Sequence, residues 1–194
     1  RHYIQAYAPA LPHPLNDVDI AALHISKNRF YAQRLHEGGI PLRSGVLRLL
    51  TEARHHGITL AIATTTSPEN VEALLINALG TQTMDWFAVI GAGDVVPAKK
   101  PAPDIYQYVL DALRLPAAAC IAFEDSAHGC QAARLAQLPT IVTVNDYTRS
   151  QDFSGATLVL DHLGEPQQPM QVLAGDAHGA QWVDVAMLQR LLRE

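Results

Sequence analysis

The spacing of apolar and polar positions predicts alternating strands and helices from residue 58 onward. Apolar runs of strand length fall at 58–64, 87–90, 119–123, 139–144 and 157–160. Segments with the apolar spacing of helices lie between them, at 67–79, 103–114 and 127–137. This alternation predicts an α/β fold: a Rossmann-like parallel sheet with right-handed crossovers and helices on both faces.

The remaining segments extend this pattern. Further helices are predicted at 18–37, 44–56 and 183–193. Either Asn16 or Asp17 can cap the first of them. The segment 164–181 is rich in Gly, Gln and Pro, so we expect an irregular loop there.

Composition narrows the class of protein. The chain has 194 residues, of which 48% are hydrophobic and 17% charged, enough for one good core. A net charge of −5, with no basic run longer than Lys99-Lys100, argues against nucleic acid as a partner. No apolar stretch reaches the roughly 20 residues of a membrane span, and no signal-peptide layout is present. We therefore expect a globular, cytoplasmic protein with no membrane partner, and a monomer because coiled-coil heptads are missing.

The two cysteines, Cys120 and Cys130, belong to no paired motif. We expect both to be reduced, packed thiols without a catalytic role.

Hydroxyl groups follow the first predicted strand. Thr64, Thr65 and Thr66 stand where this strand meets the helix that begins near Ser67. Hydroxyls and free N–H groups at a helix N-terminus can bind an anion. Hydroxyls that only cap the helix are the alternative.

A lysine pair follows the second predicted strand. Pro101 restricts Lys100 to an extended backbone, which can aim its ammonium group at a phosphate. A solvated loop lysine is the alternative.

Two adjacent carboxylates, Glu124 and Asp125, end the apolar run 118–123. Ligands of open parallel sheets gather beyond the carboxyl ends of the strands, and paired carboxylates there suit Mg²⁺. A solvated acidic turn capped by Ser126 is the alternative. Taken together, hydroxyl, ammonium and metal-binding carboxylates are the set that holds a phosphoryl group and neutralises its transition state.

The order of these groups resembles the haloacid dehalogenase-like (HAD) hydrolase superfamily. The strings that carry the resemblance are Ala61-Ile-Ala-Thr-Thr-Thr-Ser67, Lys100-Pro-Ala-Pro-Asp104 and Phe123-Glu-Asp-Ser126. They are similar to the second, third and fourth motifs of the superfamily. The resemblance implies that Thr64 and Lys100 are catalytic and that Thr65 and Thr66 bind substrate. It also implies Mg²⁺ as the cofactor of Glu124 and Asp125.

Four other strings resemble the CbbY-type branch of sugar-phosphate phosphatases, which is near β-phosphoglucomutase: 23–28, 40–45, 145–148 and 161–166. The likeness implies that residues 1–38 are the C-terminal part of a helical cap and that 39–194 form the core. In this interpretation Lys27 binds a substrate phosphate, and Arg43 is a weaker candidate for a second phosphate.

The first motif of the superfamily, Asp-x-Asp-x-Thr, is missing from these 194 residues. Asp17-Val-Asp19 has the right Asp spacing, but it follows Pro-rich sequence and is predicted to be helical. We expect the nucleophile strand to lie outside this sequence. The resemblance places that strand between the strands that end at Thr64 and Phe123. Its absence predicts a strand supplied in trans, a closed-up sheet or poor folding, and no catalysis by the 194 residues alone.

The leading hypothesis is a Mg²⁺-dependent phosphatase of small phosphorylated sugars, with xylulose-1,5-bisphosphate as the substrate that the branch suggests. A β-phosphoglucomutase-like phosphomutase and a catalytically dead anion-binding module are the alternatives. The residues alone leave all three open.

Overall fold

A computed structural model of the protein describes residues 16–36 and 40–193. The chain divides into two compact units, Arg1–Ile40 and Pro41–Glu194. The first unit contains helix α1 (Asp17–His36). Asn16 caps it, because its Oδ1 accepts hydrogen bonds from the Val18 and Asp19 amides at 2.9 and 3.0 Å. Asp17-Val-Asp19 is thus the first turn of a helix, as predicted, and not the end of a strand.

The second unit alternates helices and strands. Its helices are α2 (Val46–His55), α3 (Pro68–Leu79), α4 (Asp104–Leu113), α5 (Ala127–Leu135) and α6 (Val185–Leu191). Its strands are β1 (Leu60–Ala63), β2 (Phe87–Gly91), β3 (Ala122–Glu124), β4 (Thr140–Thr143), β5 (Leu158–Leu160) and β6 (Val172–Gly175). The predicted α/β class is confirmed.

The strands form two sheets in the described part of the chain. β1 pairs with β2 in parallel, and β3, β4 and β5 form a second parallel group. β6 adds to β5 in antiparallel orientation. The expectation of an irregular loop over 164–181 is therefore wrong at β6, a short strand that lies at the exposed edge of its sheet.

Helices cover both faces of the larger sheet. Ile141 and Leu158 point to the side where α2 and α6 pack. Val142 and Val159, their neighbours along the strands, pack with Cys130 of α5 on the other side. Successive residues of a strand face opposite sides, so each of these strands is buried twice. Cys120 and Cys130 are both free, and Cys130 is buried.

Helix α4 packs against strand β3 and helix α5. Ile105 and Tyr106 of α4 pack with Ala122 of β3 and Ala132 of α5. This packing holds the N-terminal turn of α4 beside the carboxyl end of β3.

The two sheets are not hydrogen-bonded to each other. No described strand lies between β1 and β3, so the sheet is not closed up. Phe123 of β3 is accordingly 41% exposed although it lies within a strand. Among the described helices, none combines the length and apolarity needed to cross a bilayer.

Candidate functional site

Lys100 connects the carboxyl ends of the two sheets. Its Nζ donates to the carbonyl of Ala63, the last residue of β1, at 2.9 Å. It also donates to Glu124 Oε1, at the end of β3, at 2.5 Å. The Lys100 side chain is only 14% exposed. An ammonium group has three N–H donors, so one remains for a ligand beside these two contacts.

The neighbouring lysine has a different environment. Lys99 forms an ion pair with Asp94 at 2.7 Å, and both side chains are largely exposed. Of the adjacent pair, only Lys100 contacts the ends of both β1 and β3.

Tyr106 completes the surroundings of Lys100 and was assigned no role from the sequence. Its hydroxyl donates to Glu124 Oε1, and the centre of its ring lies 4.7 Å from Lys100 Nζ. Burial, followed by the negative charge of Glu124, raises the pKa of Tyr106 above its ordinary value. The phenol therefore stays protonated and donates. Tyr106 is in the first turn of α4, directly after Lys100-Pro-Ala-Pro-Asp104, and this position is the feature of the sequence that could have indicated its role.

Glu124 is enclosed by its neighbours. Oε1 accepts from both Lys100 and Tyr106. The other oxygen lies against helix α5, where a Cβ added to Gly129 would be 1.8 Å from Oε2. Only glycine fits at this position without moving the carboxylate. The nearby Cys130 thiol has a pKa raised by burial and, secondarily, by the Glu124 charge, so it is a packed thiol and not a nucleophile.

Asp125 differs from Glu124 in its exposure. It faces solvent, and its side chain has no hydrogen bond or ion pair with another described residue. Ser126 caps α5 by accepting a hydrogen bond from the Gly129 amide at 3.2 Å. The turn is therefore held by Ser126, and the Asp125 carboxylate is left accessible.

Whether magnesium fits here depends on how many carboxylates can serve as its ligands. The described residues contain no group of three or more His, Cys, Asp and Glu side chains arranged to hold a metal ion. Mg²⁺ needs only one or two carboxylates and keeps several waters. The exposed carboxylate of Asp125 fits this requirement, and Glu124 precedes it directly in the chain.

Thr64 directly follows the carbonyl that binds Lys100. Its amide donates to Gly91 at 2.9 Å, which extends the β1–β2 pairing by one residue. Its Oγ1 accepts from the Thr66 amide at 3.2 Å. The side chains of Thr65 and Thr66 are exposed. The structure thus brings the threonine turn, Lys100 and Glu124-Asp125 to one edge of the sheets.

Arg43 lies at the ends of β4 and β5 instead. Its guanidinium donates to the carbonyls of Thr143, Val144 and Asp161 and to Thr143 Oγ1, at 2.5–3.0 Å. These contacts hold strand ends together, and the assignment of Arg43 to a second phosphate stays a prediction. Lys27 is an exposed residue of α1, in the first unit, and its assignment also stays a prediction.

The fold and the three strand ends define a class of protein. The family profile described as "haloacid dehalogenase-like hydrolase" matches residues 3–137. The chain belongs to the haloacid dehalogenase-like hydrolases.

Named relatives refine this assignment. Protein CbbY (plasmid) of Cupriavidus necator is 48% identical over 171 residues, which are 88% of this chain and 66% of the relative. Rhodobacter sphaeroides CbbY, solved as a mutant in complex with xylulose-(1,5)bisphosphate, is 42% identical with a TM-score of 0.71. That match covers 80% of this chain and 71% of the solved one. A candidate β-phosphoglucomutase from Thermotoga maritima is 26% identical, with a TM-score of 0.56 and coverage of 74% and 63%.

The chain is shorter than these relatives. It spans 62–66% of the length of the CbbY proteins from Cupriavidus necator, Rhodobacter capsulatus and Cereibacter sphaeroides.

Proposed function

We propose that this chain is the larger part of a Mg²⁺-dependent phosphatase of small phosphorylated sugars. The observation that carries the proposal is the position of Lys100, which contacts the end of β1 next to Thr64 and the end of β3 at Glu124. A phosphoryl group bound there meets a hydroxyl, an ammonium group and an exposed carboxylate for a cation. These groups neutralise the charge that phosphoryl transfer develops.

Each residue has a distinct role in this proposal. The Thr64 hydroxyl and the turn at Thr65 and Thr66 bind phosphoryl oxygens. Lys100 offers its third N–H to the phosphate and offsets the charge of the nucleophile. Asp125, with Glu124 beside it, holds Mg²⁺, which when bound supplies positive charge to the phosphate oxygens.

The nucleophile belongs to a segment outside these 194 residues, because the sequence contains no Asp-x-Asp-x-Thr. The separation of β1 and β3 into two sheets, with no described strand pairing them, supports this part of the proposal. The first aspartate of that motif attacks phosphorus and forms an aspartyl-phosphate as the bond between phosphorus and the sugar oxygen breaks, and the second aspartate protonates the leaving oxygen. Water then releases inorganic phosphate and restores the carboxylate.

Xylulose-1,5-bisphosphate is the substrate we propose first, because a 42% identical CbbY was solved with that compound. The likeness to a candidate β-phosphoglucomutase supports a second function, in which the phosphoryl group returns to the sugar instead of passing to water. Incubation with a hexose 1-phosphate separates the two: a phosphatase releases inorganic phosphate, whereas a mutase yields the 6-phosphate.

We also propose roles for residues outside the strand ends. We propose that residues 1–38 are the C-terminal part of a helical cap domain and that residues 39–194 are the core, with Lys27 binding a substrate phosphate. Arg43 is the weaker candidate for a second phosphate. A monomer in the cytoplasm, with a phosphorylated sugar as its partner, remains our prediction.

The test uses the chain extended at its N-terminus by a strand that carries Asp-x-Asp-x-Thr. We expect this protein to release phosphate from xylulose-1,5-bisphosphate only when Mg²⁺ is present, and D125N to remove that activity. The 194-residue chain should be inactive. Activity that persists in a metal chelator contradicts the proposal, and phosphate binding without turnover in the extended protein favours the anion-binding module.

A further inference from the structure

We infer that Tyr106 is a positioning residue for phosphate binding: it acts through Glu124 to keep the third N–H of Lys100 available. The inference rests on the proposed function, since it concerns the same site. Tyr106 itself does not touch the phosphate. It sets how strongly Glu124 holds the lysine.

Two donors share one oxygen of Glu124. Glu124 Oε1 accepts from Lys100 Nζ and from the Tyr106 hydroxyl. Two donors at the same oxygen divide its negative charge between them. If the hydroxyl is removed, Lys100 becomes the only donor to Oε1, and the carboxylate draws the ammonium group further from the phosphate.

The ring of Tyr106 also contacts Lys100. Lys100 Nζ lies 4.7 Å from the centre of the Tyr106 ring, within the range of a cation–π contact. Tyr106 is 7% exposed and packs with Ile105, Leu110 and Ala122. The ring therefore cannot swing away, and it limits the ammonium group to positions between β1 and β3.

Gly129 of helix α5 lies against the other oxygen of Glu124, Oε2. Gly129 leaves space only for the carboxylate as it stands, since a Cβ there would lie 1.8 Å from Oε2. Helix α5 and Tyr106 thus fix Glu124 from two directions. Because the carboxylate is held in place, the loss of the Tyr106 hydroxyl changes its hydrogen bond with Lys100.

The experiment measures binding of inorganic phosphate, by isothermal titration calorimetry with Mg²⁺ present, to the chain extended at its N-terminus by a strand that carries Asp-x-Asp-x-Thr. Y106F removes the hydroxyl and keeps the ring, and Y106L removes both. Y108F is the matched control, because Tyr108 is on the same helix and 42% exposed. We expect Y106F to bind phosphate about 3- to 10-fold more weakly, the loss of one hydrogen bond, and Y106L to bind more weakly still. Y108F should bind like the parent chain.

A double-mutant cycle tests whether Tyr106 acts through Glu124. In the E124Q background, we expect Y106F to change the phosphate affinity less than twofold. An equal loss in both backgrounds contradicts the inference, as does a Y106F chain that unfolds at a lower temperature but binds phosphate like the parent. An extended parent chain that binds no phosphate overturns the proposed function, and this inference with it; an extended parent chain that releases phosphate but binds it equally with and without the Tyr106 hydroxyl overturns this inference alone.

Discussion

Lys100 Nζ lies 2.5 Å from Glu124 Oε1, and the two side chains are only 14% and 7% exposed. Removal of the ammonium group leaves a carboxylate in a mostly dry place with Tyr106 as its remaining donor. We expect K100M to lower the free energy of unfolding by about 2–4 kcal/mol and to abolish phosphate binding. Chemical denaturation and calorimetry measure the two effects.

The adjacent residue provides the control for this prediction. Lys99 is 50% exposed and pairs with an Asp94 that is 90% exposed. K99M should change stability by less than about 1 kcal/mol and leave phosphate binding intact. Equal effects of K99M and K100M would show that the position of Lys100 has no special role.

Asp125 should matter for the metal and not for the fold. Its exposed carboxylate bonds to no described residue, so D125N should change the unfolding temperature little. We expect Mg²⁺ to strengthen phosphate binding of the parent chain and to have little effect on D125N. D85N, a change of an exposed carboxylate just before β2, should behave like the parent. The same Mg²⁺ response in D125N and the parent would remove Asp125 from the site.

A Gly129→Ala substitution tests the close contact with Glu124, because the contact reverses the expected direction of the stability change. A Gly→Ala change inside a helix ordinarily stabilises by roughly 0.5–1 kcal/mol. Here the new methyl group would displace the Glu124 carboxylate, so we expect G129A to destabilise by about 1–3 kcal/mol and to weaken phosphate binding. G57A is the comparison, because nothing lies within 4 Å of its added Cβ, although its φ of +66° carries strain. It should leave phosphate binding unchanged, and a stabilised G129A would contradict the geometry.

The raised pKa of Tyr106 predicts a dependence of stability on alkaline pH. The phenol ionises near the ordinary tyrosine pKa of 10.0 in the unfolded chain and at higher pH in the folded one. Above pH 10 the unfolded state therefore binds fewer protons, and the free energy of unfolding falls as pH rises, by at most about 1.4 kcal/mol per pH unit. Y106F should flatten this fall. Urea denaturation between pH 9 and 11, with Y108F as the control, measures it; identical slopes in Y106F and the parent would count against the buried phenol.

Arg43 should contribute stability from its backbone contacts. Its four hydrogen bonds join the ends of β4 and β5, so R43M should cost about 1–3 kcal/mol. R149M, which changes another exposed arginine, should cost far less. Binding of inorganic phosphate should be equal in both variants. A selective loss of bisphosphate affinity in R43M would support its assignment to a second phosphate.

The sequence predicted β4 and β5 well because these two parallel strands are buried on both faces. Ile141 and Val142, for example, are both fully buried, and such strands read as continuous apolar runs. β6 was not predicted, because Val172–Gly175 is short and exposed and pairs with β5 in antiparallel orientation. That pairing is set by tertiary contacts. Local pattern contains little information about such an edge strand.

The site was predicted in part. The positions of Lys100 and the carboxylates followed from their places after apolar runs, whereas the contacts among them did not. Tyr106 reaches Glu124 across 18 residues of sequence, and the Gly129 contact depends on how closely α5 approaches β3. These are products of packing, which a linear pattern does not specify. Arg43, which bonds to residues 100 to 118 positions away, is the extreme case.

The separation of β1 from β3 has a consequence for hydrogen exchange. In a parallel strand, alternate amides point to opposite sides, and those of β1 that point away from β2 meet no described strand. Amides without an interstrand hydrogen bond are less protected, and deuterium can replace their hydrogens without global unfolding. Isotope labelling should therefore reach these amides of β1 before those of β4, which has a paired strand on each side.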